Sequence, residues 1–251
     1  MFYDRKPKKK YDDIIFGIRA IIEAINSGKQ IEKVLLKRGQ GELYKELFDT
    51  IKAHGVPCQH VPIEKLNKIT MKNHQGAIAF VSPITFDNIE TLLPTLYEEG
   101  KNPFILVLDQ ITDVRNFGAI VRTAECAGVH AIIVPEKGAA SINADAMKTS
   151  AGALHLVPIC RSKDLKGSVR FLQESGLKVV AASEKAKDSY SQVDYTTPVA
   201  IVMGSEEFGI SEEIIRLSDC LVQIPILGQI QSLNVSVAAG LLSYEVVRQR
   251  N

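Results

Sequence analysis

The chain has 251 residues, of which 45 % are apolar and 24 % are charged, as in ordinary folded globular proteins. This composition excludes a disordered chain, a collagen and a coiled coil. The 30 Lys+Arg and 29 Asp+Glu residues leave a net charge of +1, which taken alone argues against a nucleic-acid partner, because such proteins usually carry a basic excess.

The small net charge hides an uneven distribution along the chain. Residues 1–82 contain 15 Lys+Arg and 9 Asp+Glu and carry +6, whereas residues 83–251 contain 15 and 20 and carry −5. A basic N-terminal part indicates a polyanionic partner, with a solvated lysine tail as the competing interpretation.

The cysteines and the apolar runs bear on the compartment of the protein. Cys58, Cys126, Cys160 and Cys220 form no C-x-x-C pair and no cluster with histidine, so we expect no metal site. Isolated cysteines are typical of buried residues in a reducing cytosol. No apolar run approaches the roughly 18 residues of a membrane span, and no secretory signal follows the basic N-terminus. We therefore expect a cytoplasmic protein with no membrane segment.

The first part of the chain predicts a basic tail over residues 1–12 and a small α/β unit over residues 13–82. Asp12 and Asp13 can cap a helix in which Ile14, Ile18 and Ile25 recur at helical spacing. Strands are predicted over residues 31–37, 56–61 and 76–81, with a second helix around residues 43–51.

The second part predicts a different architecture. Residues 83–102 are interpreted as a linker with a helix inside it, interrupted by Pro83, Pro94 and Pro103. Over residues 103–251, continuous apolar strands alternate with helices, which indicates a parallel sheet covered on both faces. The predicted strands are 104–108, 131–134, 177–182, 199–202 and 221–224, and the predicted helices are 119–126, 164–174 and 235–247.

Three polar, glycine-containing segments follow apolar strands of this second part. In residues 106–128, Asn116 lies at the predicted start of a helix and Arg122 in its first turns, where backbone N–H groups and a guanidinium favour anions. An N-capping asparagine with a surface arginine is the plainer alternative. In residues 201–211, Gly204 and Glu206 follow a strand, and in residues 222–250, Ser232 and Asn234 precede a helix.

The plainer alternatives for the last two segments are a strand-to-helix turn capped by Ser211 and a C-terminal helix with a serine cap. The glycine spacing is not G-x-G-x-x-G, so a Rossmann dehydrogenase is disfavoured.

Taken together, the segments resemble the three motifs of the SpoU/TrmH family (SPOUT superfamily) of RNA ribose 2′-O-methyltransferases. The matching stretches are DQITDVRNFGAIVRTA, MGSEEFG and IPILGQIQSLNVSVAAG, in the family's order and spacing. FGIRAIIEAI at 16–25 and HQGAIAFV at 74–81 are similar to the RNA-binding substrate domain of the subgroup that methylates a guanosine of 23S ribosomal RNA. The sequence reads DVRNFG where proline-histidine-asparagine-leucine-glycine is common in that subgroup, a departure that bears on substrate choice.

The resemblance implies a fold, a cofactor and partners. The fold is α/β, with a C-terminal trefoil-knotted parallel-sheet methyltransferase domain over residues 103–251 and a small N-terminal α/β RNA-binding domain over residues 13–82. The methyl donor is S-adenosylmethionine, the substrate is ribosomal RNA, and the enzyme acts as a homodimer. No metal is involved.

The resemblance also implies roles for individual residues. The catalytic set is Asn116, Arg122, Glu206, Ser232 and Asn234; the cofactor-binding set is Gly204, Ser205, Ile224, Leu233 and Ser183; the candidate RNA contacts are Lys8, Lys9, Lys10, Lys37 and Arg38. Arg122 is expected to act either as the base for the ribose hydroxyl or as an electrostatic stabiliser of the alkoxide. The second role is less demanding, because a guanidinium has a pKa above about 12.

Three other functions remain open at this point. The substrate could be a transfer RNA or a ribosomal adenosine, both within the same family. A non-catalytic RNA-binding scaffold is the alternative from a different class, and the intact motif residues argue against it.

Overall fold

The computed structural model describes residues 14–39 and 41–251, and the chain divides after Pro83 into two compact units. The predicted tail of residues 1–12, with Lys8, Lys9 and Lys10, lies outside the described residues. Within the described ranges, no helix has the length and apolar character needed to cross a bilayer.

The first unit is a four-stranded mixed sheet with three helices. In chain order its elements are β1 (Ile14–Phe16), α1 (Ile18–Asn26), β2 (Ile31–Leu36), α2 (Glu42–Ala53), β3 (Cys58–His60), α3 (Ile63–Ile69) and β4 (Ala77–Val81). The strand order is β1-β4-β2-β3, with β2 and β3 parallel and β4 antiparallel to both of its neighbours. The three predicted strands and the second helix are confirmed, with strand ends shifted by one or two residues.

The start of this unit differs from the prediction. Ile14 belongs to a strand that pairs with Phe80 of β4, and the first helix begins only at Ile18. Gly17 separates the two elements with a φ of 94°, a conformation that residues other than glycine rarely adopt. The isoleucine spacing therefore spans a strand, a turn and a helix, and it imitates a single helix in the sequence.

Both faces of this sheet are covered. Ile21 of α1 and Leu47 of α2 pack with Val34 of β2 into one fully buried core. On the other face, Leu66 of α3 packs against Ile78 of β4. Burial of this apolar area is what holds so small a unit together.

The second unit is built on a seven-stranded sheet in which every pairing is parallel. Its strands are β5 (Phe104–Asp109), β6 (Ala131–Pro135), β7 (Ile159–Ser162), β8 (Lys178–Ala182), β9 (Asp188–Ser189), β10 (Val199–Gly204) and β11 (Cys220–Gln223), in the order β7-β6-β5-β10-β8-β11-β9. Its helices are α4 (Ile89–Glu98), α5 (Val114–Cys126), α6 (Ala144–Thr149), α7 (Leu165–Glu174), α8 (Glu212–Leu217) and α9 (Val235–Arg250).

This sheet confirms the predicted α/β class. Residues of β5 alternate between two separate cores, with Leu106 and Leu108 on one face and Ile105 and Val107 on the other. A strand buried on both faces must be apolar along its buried length, as the FILVL run of β5 is before it ends at Asp109. The threaded chain that the resemblance implies stays a prediction.

The segment 83–102, expected to be a linker, packs into the second unit. Leu93 and Leu96 of α4 are buried together with Ile105 and Val107 of β5. Pro94 lies inside α4 and does not interrupt it. The helix is capped by Asn88, whose Oδ1 accepts a hydrogen bond from the Glu90 N–H at 2.7 Å.

Helix α5 begins five residues before the predicted start at residue 119. Asp113 is its N-cap, and one carboxylate oxygen accepts hydrogen bonds from the N–H groups of Arg115 (2.9 Å) and Asn116 (2.8 Å). Asn116 is therefore a residue of the first helical turn, and the alternative of an N-capping asparagine is wrong. Its side chain is left available for other contacts.

Helix α5 packs closely on α6 through Gly118, which supports a prediction about stability. A Cβ at position 118 would lie 2.8 Å from the Thr149 Cβ and 3.0 Å from the Ala146 carbonyl oxygen. We expect Gly118→Ala to lower the free energy of unfolding by roughly 1–3 kcal/mol, because the two helices must separate. Urea unfolding of the whole chain measures this.

Gly240→Ala is the matched control for this measurement. Gly240 is also helical, but its Cβ would meet only the Thr123 Cγ2 at 3.5 Å, an ordinary contact. The alanine should leave stability unchanged or raise it through helix propensity. Equal midpoints for the two variants would show that the approach at Gly118 is not a constraint.

Candidate active site

The site lies at the carboxyl ends of the two central strands of the second unit. Asp109 ends β5, Gly204 ends β10, and the two residues are directly paired. Asp109 is buried, and its Oδ2 accepts a hydrogen bond from the Ser211 N–H at 2.7 Å. That bond ties the loop after β10 to the end of β5.

Three polar side chains from the three sequence motifs meet here. One carboxylate oxygen of Glu206, Oε1, accepts hydrogen bonds from the Asn234 Nδ2 at 2.7 Å, the Val235 N–H at 2.9 Å and the Asn116 Nδ2 at 3.4 Å. The Asn234 Nδ2 also donates to the Asn116 Oδ1 at 3.0 Å. The structure thus brings together Asn116, Glu206 and Asn234, which the sequence separates by up to 118 positions.

Asn234 has a second role as the N-cap of α9. Its Oδ1 accepts a hydrogen bond from the Ser236 N–H at 3.0 Å, while its Nδ2 faces Glu206. The helix therefore begins after Asn234, and Ser232 is not its cap. Since the Val235 N–H also points at Glu206, the partial positive charge of the helix N-terminus stabilises the carboxylate.

Arg122 and Ser232 are not part of this cluster. Arg122 follows Asn116 by six residues on α5, which places the two side chains about 120° apart around the helix axis. Its side chain is exposed, on the same helix face as Arg115. Ser232 is exposed in the loop that precedes α9.

The glycine at 204 is required by the chain itself. A Cβ there would lie 2.1 Å from the carbonyl carbon of Gly209 and 2.3 Å from the Ile210 nitrogen. Ser205 belongs to the same turn, with its Oγ accepting a hydrogen bond from the Phe208 N–H at 3.0 Å. The returning loop therefore already fills the space that a side chain at 204 would occupy.

The other candidate cofactor contacts surround the same end of the sheet. Ser183 follows β8 and donates its N–H to the Val222 carbonyl at 2.9 Å. Ile224 is half-buried against the core just after β11. Leu233 is 36 % exposed, immediately before Asn234. Exposed apolar surface beside strand ends is suited to a flat heterocycle.

Titratable groups with displaced pKa values lie away from the cluster. Burial, with a smaller contribution from Asp87, raises the pKa of the Cys160 thiol to about 12. Burial lowers the pKa of His130, which accepts a hydrogen bond from the Phe104 N–H at the opposite end of β5. Neither group can act on a substrate at the carboxyl ends of the strands. Across the residues that the structure describes, no three His, Cys, Asp or Glu side chains are grouped to hold a metal ion.

The chain belongs to the SpoU rRNA Methylase family, whose pattern it matches over residues 103–244, and the motif cluster lies within that range. Residues 14–86 match a second family, described as RNA 2′-O ribose methyltransferase substrate binding. Fold and motifs thus define an RNA methyltransferase with an appended RNA-binding unit, as the sequence motifs predicted.

Among characterised relatives, the chain is 38 % identical to the 23S rRNA (guanosine-2′-O-)-methyltransferase RlmB of Photobacterium profundum, over 95 % of this chain and 98 % of that protein. It is 33 % identical to the putative TrmH family tRNA/rRNA methyltransferase YacO of Bacillus subtilis, over 95 % and 96 % of the two chains.

Solved structures give the same class. The SpoU methyltransferase AviRb from Streptomyces viridochromogenes, in complex with the cofactor AdoMet, is 26 % identical with a TM-score of 0.60, over 94 % of this chain and 90 % of that one. The TrmH/SpoU tRNA modifying enzyme of A. aeolicus is 33 % identical with a TM-score of 0.55, over 64 % and 84 %.

Sequence reasoning missed the residues that support the cluster. Asp109 directly follows the predicted strand 104–108, and its bond to Ser211 spans 102 positions, which no local pattern reveals. Asp113 could have been found, because an aspartate three residues before Asn116 is a standard N-cap signal. The Val235 N–H is a backbone group and leaves no trace in the sequence.

The three hydrogen bonds on Glu206 give a prediction about stability. Glu206→Ala removes the only acceptor that these donors share, so we expect a loss of about 1–2 kcal/mol in the free energy of unfolding. Glu206→Gln keeps an amide oxygen at that place and should lose less. Thermal unfolding of both variants measures the difference, and equal losses would mean that the oxygen does not organise the cluster.

Proposed function

We propose that the chain transfers a methyl group from S-adenosylmethionine to the ribose 2′-hydroxyl of a guanosine in 23S ribosomal RNA. The observation that carries the proposal is the convergence of Asn116, Glu206 and Asn234, one from each motif, at the carboxyl ends of β5 and β10. Open parallel sheets bind their ligands at this edge. The RlmB relatives support the guanosine and the 23S RNA.

The donor fits the residues that surround the cluster. S-adenosylmethionine supplies an electrophilic methyl group on a sulfonium centre. Ile224 and Leu233 offer apolar contact for its adenine, and backbone groups around Gly204 and Ser205 offer hydrogen bonds. Ser183, at the end of β8, lies on the same side of the sheet. The AviRb structure with bound AdoMet supports this assignment.

The cluster positions groups for the transfer. Glu206, fixed by three donors, holds the amide groups of Asn116 and Asn234 in one orientation, and their remaining hydrogen-bonding capacity is directed to the ribose and the donor. Ser232, exposed two residues before Asn234, is assigned a contact to the substrate. None of these side chains needs to change its protonation state during the reaction.

As the 2′-hydroxyl oxygen gains the methyl group its proton passes to solvent water, and Arg122 supplies a positive charge beside that oxygen. A guanidinium stays protonated, so its role is to stabilise the developing alkoxide rather than to accept the proton. The Arg122 side chain projects away from the cluster of its own chain. A second copy of the chain is therefore the simplest source of the arginine at each site. This requires the homodimer that the family resemblance implies.

Helix α9 carries a face suited to such a dimer. Val237, Leu241 and Tyr244 recur at helical spacing and are 51 %, 40 % and 51 % exposed, while Ala239 and Leu242 on the opposite face are buried. A helix that is apolar on both faces is typical of burial on both sides. We propose that a second copy covers the exposed face.

The share of this chain that each relative covers favours ribosomal RNA over transfer RNA as the substrate. The tRNA modifying neighbour spans 64 % of this chain, whereas the RlmB relatives span 95 %, including the N-terminal unit. A ribosomal adenosine and a non-catalytic scaffold are outcomes that the assay below distinguishes.

Transfer of tritiated methyl groups from S-adenosylmethionine to unmodified 23S ribosomal RNA, followed by mapping of the 2′-O-methyl group, tests the function. We expect Arg122→Lys, Glu206→Ala and Asn234→Ala to lower the rate at least about a hundredfold, because electrostatic and positioning groups of this kind contribute that much. Arg216→Lys and Glu212→Ala are matched controls, since these residues form only an exposed ion pair on α8.

Wild-type turnover in Glu206→Ala and Asn234→Ala would remove the cluster from the reaction. Methylation of transfer RNA alone, or of an adenosine, would replace the proposed substrate, and binding of the RNA without any transfer would favour the scaffold.

A charged substitution on the exposed face of α9 tests the proposed dimer. Leu241→Glu should convert the protein to a monomer, because two buried carboxylates would face each other near the contact, and methyl transfer should fall with it. Leu156→Glu, at an exposed apolar position outside α9, is the control. Sedimentation measures the mass; an unchanged dimer, or a wild-type monomer with full activity, contradicts the proposal.

A further inference from the structure

The first unit carries an aromatic cluster that no motif of the sequence marks, with Phe48 and His60 exposed and Tyr44 half-buried against the core. The ring of Phe48 lies 6.2 Å from the ring of His60 at a tilt of 40°. The hydroxyl of Tyr44 is hydrogen-bonded to the Nε2 of His60 at 2.9 Å. We name these three residues, Tyr44, Phe48 and His60, the aromatic cluster.

Helix α2 and strand β3 hold the aromatic cluster in place from its two sides. Tyr44 and Phe48 are four residues apart on α2 and share one face of it. The backbone of Gly39 lies against the Tyr44 ring, so closely that a Cβ at 39 would be 3.0 Å from Tyr44 Cδ2. His60 ends β3 and pairs with Leu36, the last residue of β2.

Two cationic residues follow the strand end that pairs with His60. Lys37 and Arg38 follow Leu36, so they leave β2 next to the place where His60 leaves β3. Both side chains are exposed. The Lys37 N–H donates to the Gly76 carbonyl at 2.8 Å, which fixes the backbone at this point.

The apolar ring of Phe48 is 40 % exposed, although the core of this unit is closed by other residues. Rings held in place next to lysine and arginine are what proteins use to bind unpaired nucleotides, because a base stacks on the ring and the flanking phosphates meet the cations. A paired helix offers no free base face to such a surface.

From this arrangement we propose that the aromatic cluster stacks an unpaired base of the substrate RNA, with Lys37 and Arg38, which follow the strand end paired with His60, contacting phosphates of the same strand of RNA. The inference rests on the proposed function, since it assigns the RNA-reading surface of the same enzyme. It adds a specificity element, because the surface selects looped over paired RNA.

The experiment uses the full chain with two probes, unmodified 23S ribosomal RNA transcribed in vitro and a fully paired RNA duplex. Phe48→Ala should weaken binding of the transcript by roughly fivefold to a hundredfold, with no change in the slope of log affinity against log salt. Lys37→Gln should instead reduce that slope by about 0.7. Met71→Ala, at an apolar position that is 85 % exposed in the same unit, is the control.

Phe48→Ala should leave duplex affinity and S-adenosylmethionine binding unchanged. Wild-type affinity of Phe48→Ala for the transcript, or equal losses on transcript and duplex, overturns the inference. If wild-type protein methylates the RNA while Phe48→Ala binds it normally, only this inference fails; if the wild type transfers no methyl group, the proposed function fails whatever the binding shows.

Discussion

The pairing of β5 with β10 is the constraint on which the second unit depends. It places Asp109 directly opposite Gly204, so that the first two motifs leave the sheet side by side. The chain after Gly204 turns back so tightly that Gly209 and Ile210 occupy the volume of a side chain at 204. The bond from Ser211 to Asp109 then closes the turn, and only with this loop in place can Glu206 meet the asparagines of the other motifs.

Glu206 is the shared hydrogen-bond acceptor at the centre of the motif cluster. Its carboxylate lies at the N-terminus of α9 and receives three hydrogen bonds on a single oxygen. Such contacts hold the donors in position. A methyl transfer from a sulfonium donor needs orientation and electrostatic stabilisation of the reactants, and orientation is the role proposed for the cluster.

The sequence predicted the class of the fold and named the three residues of the cluster, because apolar strands and three spaced motifs are local signals, but it grouped Arg122 and Ser232 with them. It misplaced the first helix, since Ile14 and Ile18 fall at helical spacing on either side of a glycine turn. The predicted start of α5 is too late, because Arg115 and Asn116 interrupt the apolar periodicity. Arg115 faces solvent and Asn116 faces the site. The prediction took α4 for part of a linker, because the proline at 94 suggested a break that the helix tolerates.

The spatial arrangement of the site residues could not be predicted from the sequence, for a physical reason. Motif resemblance grouped Arg122 with Asn116, yet helix geometry separates their side chains around the axis. The bonds that build the cluster span 28, 90 and 118 positions, and such separations are set by strand order rather than by neighbouring residues. The aromatic cluster went unnoticed because its members come from a helix and a strand with ordinary spacing.

The double role of Asn234 has a consequence for how this enzyme can evolve. Its oxygen caps the last helix while its nitrogen donates to Glu206 in the motif cluster. Aspartate or serine would serve as well for the helix but would forfeit the donor, and glutamine would keep the amide at the wrong distance. The helix cap and the hydrogen bond to Glu206 therefore both depend on this one short side chain. A substitution at position 234 that keeps one of these two functions loses the other.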